Sequence, residues 1–229
     1  FKNDTNKSKP AITTGTDGGW KIYAYSPESG DFGTNLNSGT NAQWHATSST
    51  YFAGEHAGNK YIFQVQPTIT VKAVDMTKVY GETMKSDDVT TTSSATFVGR
   101  DEKPYDVNAL KYANMFDEGK LTQYYDLKNP FSSEGFAKKA TRDGSINKTD
   151  VYEIEANQEG DGLSELGRNS GYAPVKVEGG KVEIWKRQIN VYGSGSQTYG
   201  DSPIRDWNLT AVLTGKQAGV TGPDIVEGD

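Results

Sequence analysis

The sequence predicts a mainly β protein, α+β in detail, built of tandem small β-rich modules, and three observations lead there. The first is an internal repeat. Ile69, Val71 and Ala73 alternate in a strand pattern that runs on to Val79, Tyr80, Gly81 and Glu82, and Ile189 and Val191 open a second copy that runs on to Tyr199, Gly200, Asp201 and Pro203. The second is composition: thirteen Tyr, eight Phe and four Trp favour strands, and 26 Gly divide them into short runs. The third lies at the end of the first copy. There Ala173 to Val177 and Lys181 to Trp185 flank Glu178, Gly179 and Gly180, which reads as a hairpin around a Gly-containing turn.

Taken in order, residues 1–17 are polar and mixed in charge, a flexible lead-in. Residues 18–66 form an aromatic β segment with strand candidates at Trp20–Tyr25, around Trp44, and at Lys60–Val65. Pro67 closes it, in keeping with a strand's first residue or edge. Residues 67–186 form a complete module interrupted at about 100–148. Within that insertion Asp106 is a candidate N-cap, Leu110, Ala113 and Phe116 are spaced three apart, and Gly119 is a stop, which predicts a short helix. Residues 187–229 start a second, truncated module. In each copy the glycine of the turn, Gly81 or Gly200, is expected at positive φ, with Tyr80 or Tyr199 burying its ring and offering its hydroxyl to a partner. The start at Phe1 and the short second copy suggest a piece cut from a longer protein.

The net charge of -6, with no long basic run, argues against nucleic acid as a partner. No apolar run approaches the roughly 18 residues of a membrane helix, so no membrane insertion is expected. Cysteine is absent, which removes disulfides, thiolate metal sites and thiol nucleophiles. Such a chain suits a long secreted protein that crosses an envelope unfolded.

Tyr105, Tyr112, Phe116, Tyr124, Tyr125, Phe131 and Phe136 lie in the insertion beside Asp117, Glu118 and Asp126. Aromatics next to carboxylates can stack on sugar faces and accept from hydroxyls, which makes Tyr112, Tyr124 and Tyr125 ligand-binding candidates. The competing reading makes these rings the module's own core. Among Trp20, Trp44, Trp185 and Trp207, Trp44 is the first candidate platform because its polar flanks predict partial exposure. Only two histidines occur, His45 and His56, without a ligand set or nucleophile motif around them. No catalytic residue, metal site or cofactor is therefore assigned, and the chain is read as non-enzymatic. Asp87 with Asp88, Asp101 with Glu102 and Asp117 with Glu118 are adjacent pairs, which point apart on a strand and read as solvated. The loops Asp143 to Asp150 and Asn157 to Asp161 carry oxygen ligands but lack calcium-loop spacing, and ordinary turns account for them. Sequons at Asn3, Asn6, Asn147 and Asn208 are of the kind that chance produces in Ser/Thr-rich chains.

The strand from Ile69, Asp75, and the run Lys78, Val79, Tyr80, Gly81, Glu82 together resemble the "YG" repeats, called MBG or YDG domains, of large bacterial filamentous surface proteins. Tyr199, Gly200, Asp201 and Pro203 resemble the same start. Ahead of them, Trp20, Ile22, Tyr23, Trp44, Gly58, Asn59 and Tyr61–Phe63 are similar to the segment preceding the first repeat in haemagglutinin-like exoproteins of two-partner secretion systems. The resemblance implies β-grasp-like modules and a secreted or cell-surface bacterial adhesin, with a role in virulence or biofilm. It also implies an outer-membrane transport partner and a host-cell or matrix glycan or protein as ligand. A purely structural stalk is the alternative, and a glycan-cleaving enzyme the remote one. The 120-residue spacing of the copies exceeds the family's common module, and the surplus falls within about 100–148.

Overall fold

The computed structural model describes residues 12–16, 18–30, 32, 36, 38, 42–51, 57–79, 86–107, 121–128, 130–131, 150–185, 188–196, 198–200 and 208–214. The strands are β1 (Lys21–Ala24), β2 (Ala42–Gln43), β3 (Lys60–Phe63), β4 (Thr68–Ala73), β5 (Met76–Val79), β6 (Thr91–Val98), β7 (Pro104–Asp106) and β8 (Asp150–Ile154). After helix α1 (Glu165–Asn169) come β9 (Ala173–Glu178), β10 (Gly180–Trp185), β11 (Gln188–Ser194) and β12 (Asn208–Thr214). The fold is mainly β, as predicted.

Contacts gather the chain into two units, each assembled from separated stretches. The first takes Phe1–Lys72, Thr91–Pro130 and Ala156–Glu178; the second takes Ala73–Thr90, Phe131–Glu155 and Gly179–Asp229. Contacts thus divide the chain differently from the linear boundaries at 66/67 and 186/187, because strand partners lie far apart in sequence.

The first unit holds two sheets. One is all parallel, in the order β1-β3-β2, with Tyr61 opposite Ile22 on one side and Ala42 on the other. Its central strand is buried on both faces. Tyr61 and Phe63 join the main core, while Ile62 packs on the other side with Ala46, Tyr51 and Tyr23. Such two-sided burial is what a parallel strand requires, and it explains why Tyr61 to Phe63 read as a continuous apolar run rather than an alternation. The other sheet runs β7-β6-β4-β9. Alternation along β4 buries Ile69, Val71 and Ala73, and along β6 it buries Ala95 and Phe97.

Trp44 lies in this core. It is 1% exposed, with ring centroids 5.1 Å from Phe63, 6.0 Å from Phe97 and 6.2 Å from Tyr172. Its predicted partial exposure is therefore corrected. The polar flanks reflect a short strand end whose backbone is tied in, with the Trp44 amide donating to Ser170 and the His45 amide to Val65. The nearby Gly171 has φ +83, and a Cβ there would run into the Trp44 carbonyl.

In the second unit a three-stranded sheet runs β5-β10-β8, with β10 parallel to β5 and antiparallel to β8. The predicted hairpin is corrected here. Both strands form at the expected residues, but β9 and β10 belong to different sheets, and each pairs in parallel with a strand about 100 residues earlier. Gly180 serves close packing instead of a turn: a Cβ there would stand 2.8 Å from the Ala73 carbonyl oxygen. The Asp75 carboxylate then accepts from the Lys181 amide at 2.9 Å, fixing the start of β10 beside β5.

The last two strands form an antiparallel pair, β11-β12, with Val191 opposite Ala211. Gly200 takes the positive φ expected of it, +96. Tyr199 does not bury its ring, which is fully exposed. Tyr80, Gly81 and the helix expected after Asp106 lie outside the described residues, while Asp106 itself ends β7.

Candidate functional site

The insertion divides between packing and surface. Tyr105, on β7, stacks on Phe97 with centroids 5.7 Å apart, and Tyr124 packs on Tyr172 at 5.1 Å. Both rings, with that of Tyr125, sit half-buried against the main core. All three pack on the core and keep part of their surface exposed. Burial, with the neighbouring Tyr124, pushes the Tyr172 hydroxyl above the usual tyrosine range. Tyr112 lies outside the described residues.

The backbone around Tyr124 and Tyr125 is held by a second segment. Tyr125 forms an antiparallel bridge with Leu163, the Ser164 amide donates to the Tyr124 carbonyl at 3.1 Å, and the Asp126 amide donates to the Gly162 carbonyl at 3.0 Å. Ser164 caps helix α1: its hydroxyl donates to the Gln123 carbonyl at 2.7 Å and accepts from the Gly167 amide at 3.1 Å. Gly167 is needed beside it, because a Cβ would run into the Tyr124 carbonyl. The Asp161 carboxylate takes a two-point contact from Arg168, at 2.8 and 3.1 Å, and accepts from the Leu163 amide at 3.1 Å. Arg168 first, then that amide, holds the Asp161 carboxyl below its ordinary range. The Asp161 carbonyl in turn accepts from the Val175 amide at 2.7 Å, tying the loop to β9.

On this frame opens a cleft of about 370 Å³. Asp126, Lys128, Asn157, Gln158 and Glu159 supply its polar lining, and Leu127 and Pro130 its apolar part. The Asn157 amide donates to the Pro130 carbonyl at 2.6 Å, clamping the two walls together. Gly162 sits underneath at φ +65, where a Cβ would stand 2.6 Å from Leu127 Cδ2 and 2.7 Å from Gln158 Nε2. The two walls were each visible in the sequence, Asp126 as a carboxylate among aromatics and Asn157 to Asp161 as a polar loop. What sequence could not show is that they face one another. The side chains can accept from and donate to ligand hydroxyls, while Leu127 and Pro130 offer a small apolar surface.

Asp161 is committed to Arg168, which removes the oxygen ligand that ends the 157–161 loop. Among the described residues no group of three His, Asp or Glu side chains is placed to hold a metal ion. His45 is exposed, at φ +53, and His56 lies outside the described residues. Trp20 is buried, and nothing is described of the side chains of Trp185 and Trp207. No helix among the described residues is long and apolar enough to cross a membrane.

No family model matches the chain, and neither a curated protein nor a solved structure is significantly similar to it.

Proposed function

We propose that the chain is a non-enzymatic module of an exported bacterial surface adhesin, secreted through an outer-membrane transport partner, and that it attaches to a host-cell or biofilm-matrix glycan. The cleft between the 126–130 and 157–159 walls carries the binding part of this reading. Carboxylate and amide side chains on a fixed backbone are suited to the paired hydroxyls of a pyranose, and Leu127 with Pro130 can cover its C–H face. Export and surface display rest on the resemblance to the YG repeats and on the cysteine-free composition.

A second reading, a stalk module without a ligand of its own, is favoured by the recurrence of one strand pair. β4 neighbours β6, which begins at Thr91, and β11 neighbours β12, which begins at Asn208, so in each copy the first strand lies beside a later one. The full chain and an Asn157→Ala/Gln158→Ala variant, applied to a glycan array and to epithelial cells, separate the two readings. Binding by the full chain that falls about tenfold in the variant, with unchanged circular dichroism, supports the cleft, since each lost hydrogen bond contributes about 0.5–1.5 kcal/mol. Binding by neither protein favours the stalk. Equal binding by both moves the site elsewhere.

A further inference from the structure

Two like charges stand side by side on the parallel sheet of the first unit. Lys21 on β1 is directly opposite Lys60 on β3, and neighbouring strands lie about 4.8 Å apart. Both side chains leave the sheet on the face turned away from the main core, since Lys21 alternates with Ile22 to share the face of Tyr23, and Lys60 alternates with Tyr61 to share that of Ile62. We propose that Lys21 and Lys60 together form an oxyanion-binding site on this face, and that its ligand is a tetrahedral oxyanion, sulfate or phosphate.

The pair stands on a fixed backbone. Gly58 takes φ +78, and a Cβ on Gly19 would run into the Gly58 carbonyl, so the segments leading into β1 and β3 touch. The Trp20 amide donates to the Asn59 side-chain carbonyl at 3.1 Å, and the Lys60 amide donates to the Trp20 carbonyl at 2.9 Å. On that frame the Lys21 ammonium donates to the Gly58 carbonyl at 2.5 Å, and the Lys60 ammonium lies 5.6 Å from the centroid of the Tyr51 ring. Tyr51 is anchored in turn: its carbonyl accepts from the Tyr23 hydroxyl at 2.7 Å and its amide donates to the Thr47 carbonyl at 2.9 Å. Both lysines are half-buried. Like charges at such a spacing repel, the more so where water is partly excluded. Burial holds the Lys60 ammonium below the ordinary lysine range, and burial with the charge of Lys60 does the same at Lys21. Negative charge shared between the two relieves both effects. Each ammonium carries three N–H donors, of which Lys21 gives one to Gly58. Two such groups side by side outnumber the oxygens of a single carboxylate, whereas a sulfate or phosphate group brings three or four oxygens and up to two charges.

The test is an amide NMR titration of the full chain with inorganic sulfate and, separately, inorganic phosphate, with sodium chloride adjusted to hold ionic strength constant. The expected result is saturable shifts at the Lys21, Gly58 and Lys60 amides. Affinity should fall about tenfold in Lys60→Gln and in Lys21→Gln, as loss of one charge-assisted hydrogen bond implies, and should be kept in Lys60→Arg. Glucose 6-sulfate and glucose 6-phosphate distinguish the sources: binding tighter than that of the inorganic ions assigns the site to an oxyanion carried on a sugar, and binding no tighter assigns it to the free ion. Shifts that grow without saturation overturn the proposal, since they report only a general salt effect. Saturation confined to other amides, or with the same affinity in both glutamine variants, also overturns it. The wild-type titration decides by itself should a variant fail to fold.

Discussion

Substituting Gly162 by alanine strikes the cleft from below and separates two costs. The first is backbone: at φ +65 an L residue costs about 1–2 kcal/mol more than glycine. The second is steric. The new Cβ meets Leu127 Cδ2 at 2.6 Å, Gln158 Nε2 at 2.7 Å and Val175 Cβ at 3.1 Å. Leu127 and Gln158 are half-buried and can swing away, at about 0.5–1.5 kcal/mol each for off-rotamer placement. Val175 is 4% exposed and its amide is tied to Asp161, so it yields little. Together these give roughly 2–5 kcal/mol, and at about 2–4 °C per kcal/mol for a chain of this size the melting temperature falls by roughly 4–20 °C. Gly160 is the internal control, with φ +70 and open space where its Cβ would go. Gly160→Ala should lose only the backbone part, about 1–2 kcal/mol. Thermal denaturation of both variants decides the matter: a Gly162→Ala protein as stable as Gly160→Ala refutes the packing account. Glycan binding by the folded Gly162→Ala protein should also fall, since relief of the clash moves Leu127 and Gln158 out of place.

Further outcomes follow from the same structure. Trp44→Ala should cost about 3–5 kcal/mol, read by denaturant unfolding, because it empties the space between Phe63, Phe97 and Tyr172. Tyr199→Ser should change stability by less than about 0.5 kcal/mol despite its place in the repeat motif, because the ring is fully exposed. Asp161→Asn should lower the melting temperature at neutral pH. Its carboxyl titrates below the ordinary value of about 3.9, so the wild-type advantage is fully present above that value and disappears as pH falls through the lowered one. A difference in melting temperature that stays constant from pH 7 to pH 2 would contradict the Arg168 contact as its source.

Strand positions were legible because burial alternates along them. Ile69, Val71 and Ala73 are buried where period-2 reading puts them, and β9 to β11 form where Val175, Val182 and Ile189 announce them. Strand partners were not legible, because alternation fixes a face and says nothing of which edge meets which. Glu178, Gly179 and Gly180 illustrate the limit. Glycine signals both a turn and a close approach of backbones, and only the position of Ala73 distinguishes the two. Trp44 was misplaced for a related reason: its polar neighbours satisfy backbone bonds at a strand end, which local sequence cannot separate from exposure. In the cleft the chemistry of each wall was readable, and their meeting depended on the Tyr125 to Leu163 bridge, formed across 38 positions of chain.

The parallel pairing of β4 with β9 also has a consequence in time. Thr68 and Ala173, paired in the sheet, are 105 residues apart in the chain. Ribosomal synthesis at about 5–20 residues per second leaves β4 complete for roughly 5–20 seconds before its partner exists. Through that interval Ile69 and Val71 belong to a strand with one side unfilled. The sheet is therefore finished by a segment made long after β4, a delay that suits the proposed export, since a chain whose first strand still lacks its partner is held back from folding before it crosses the envelope.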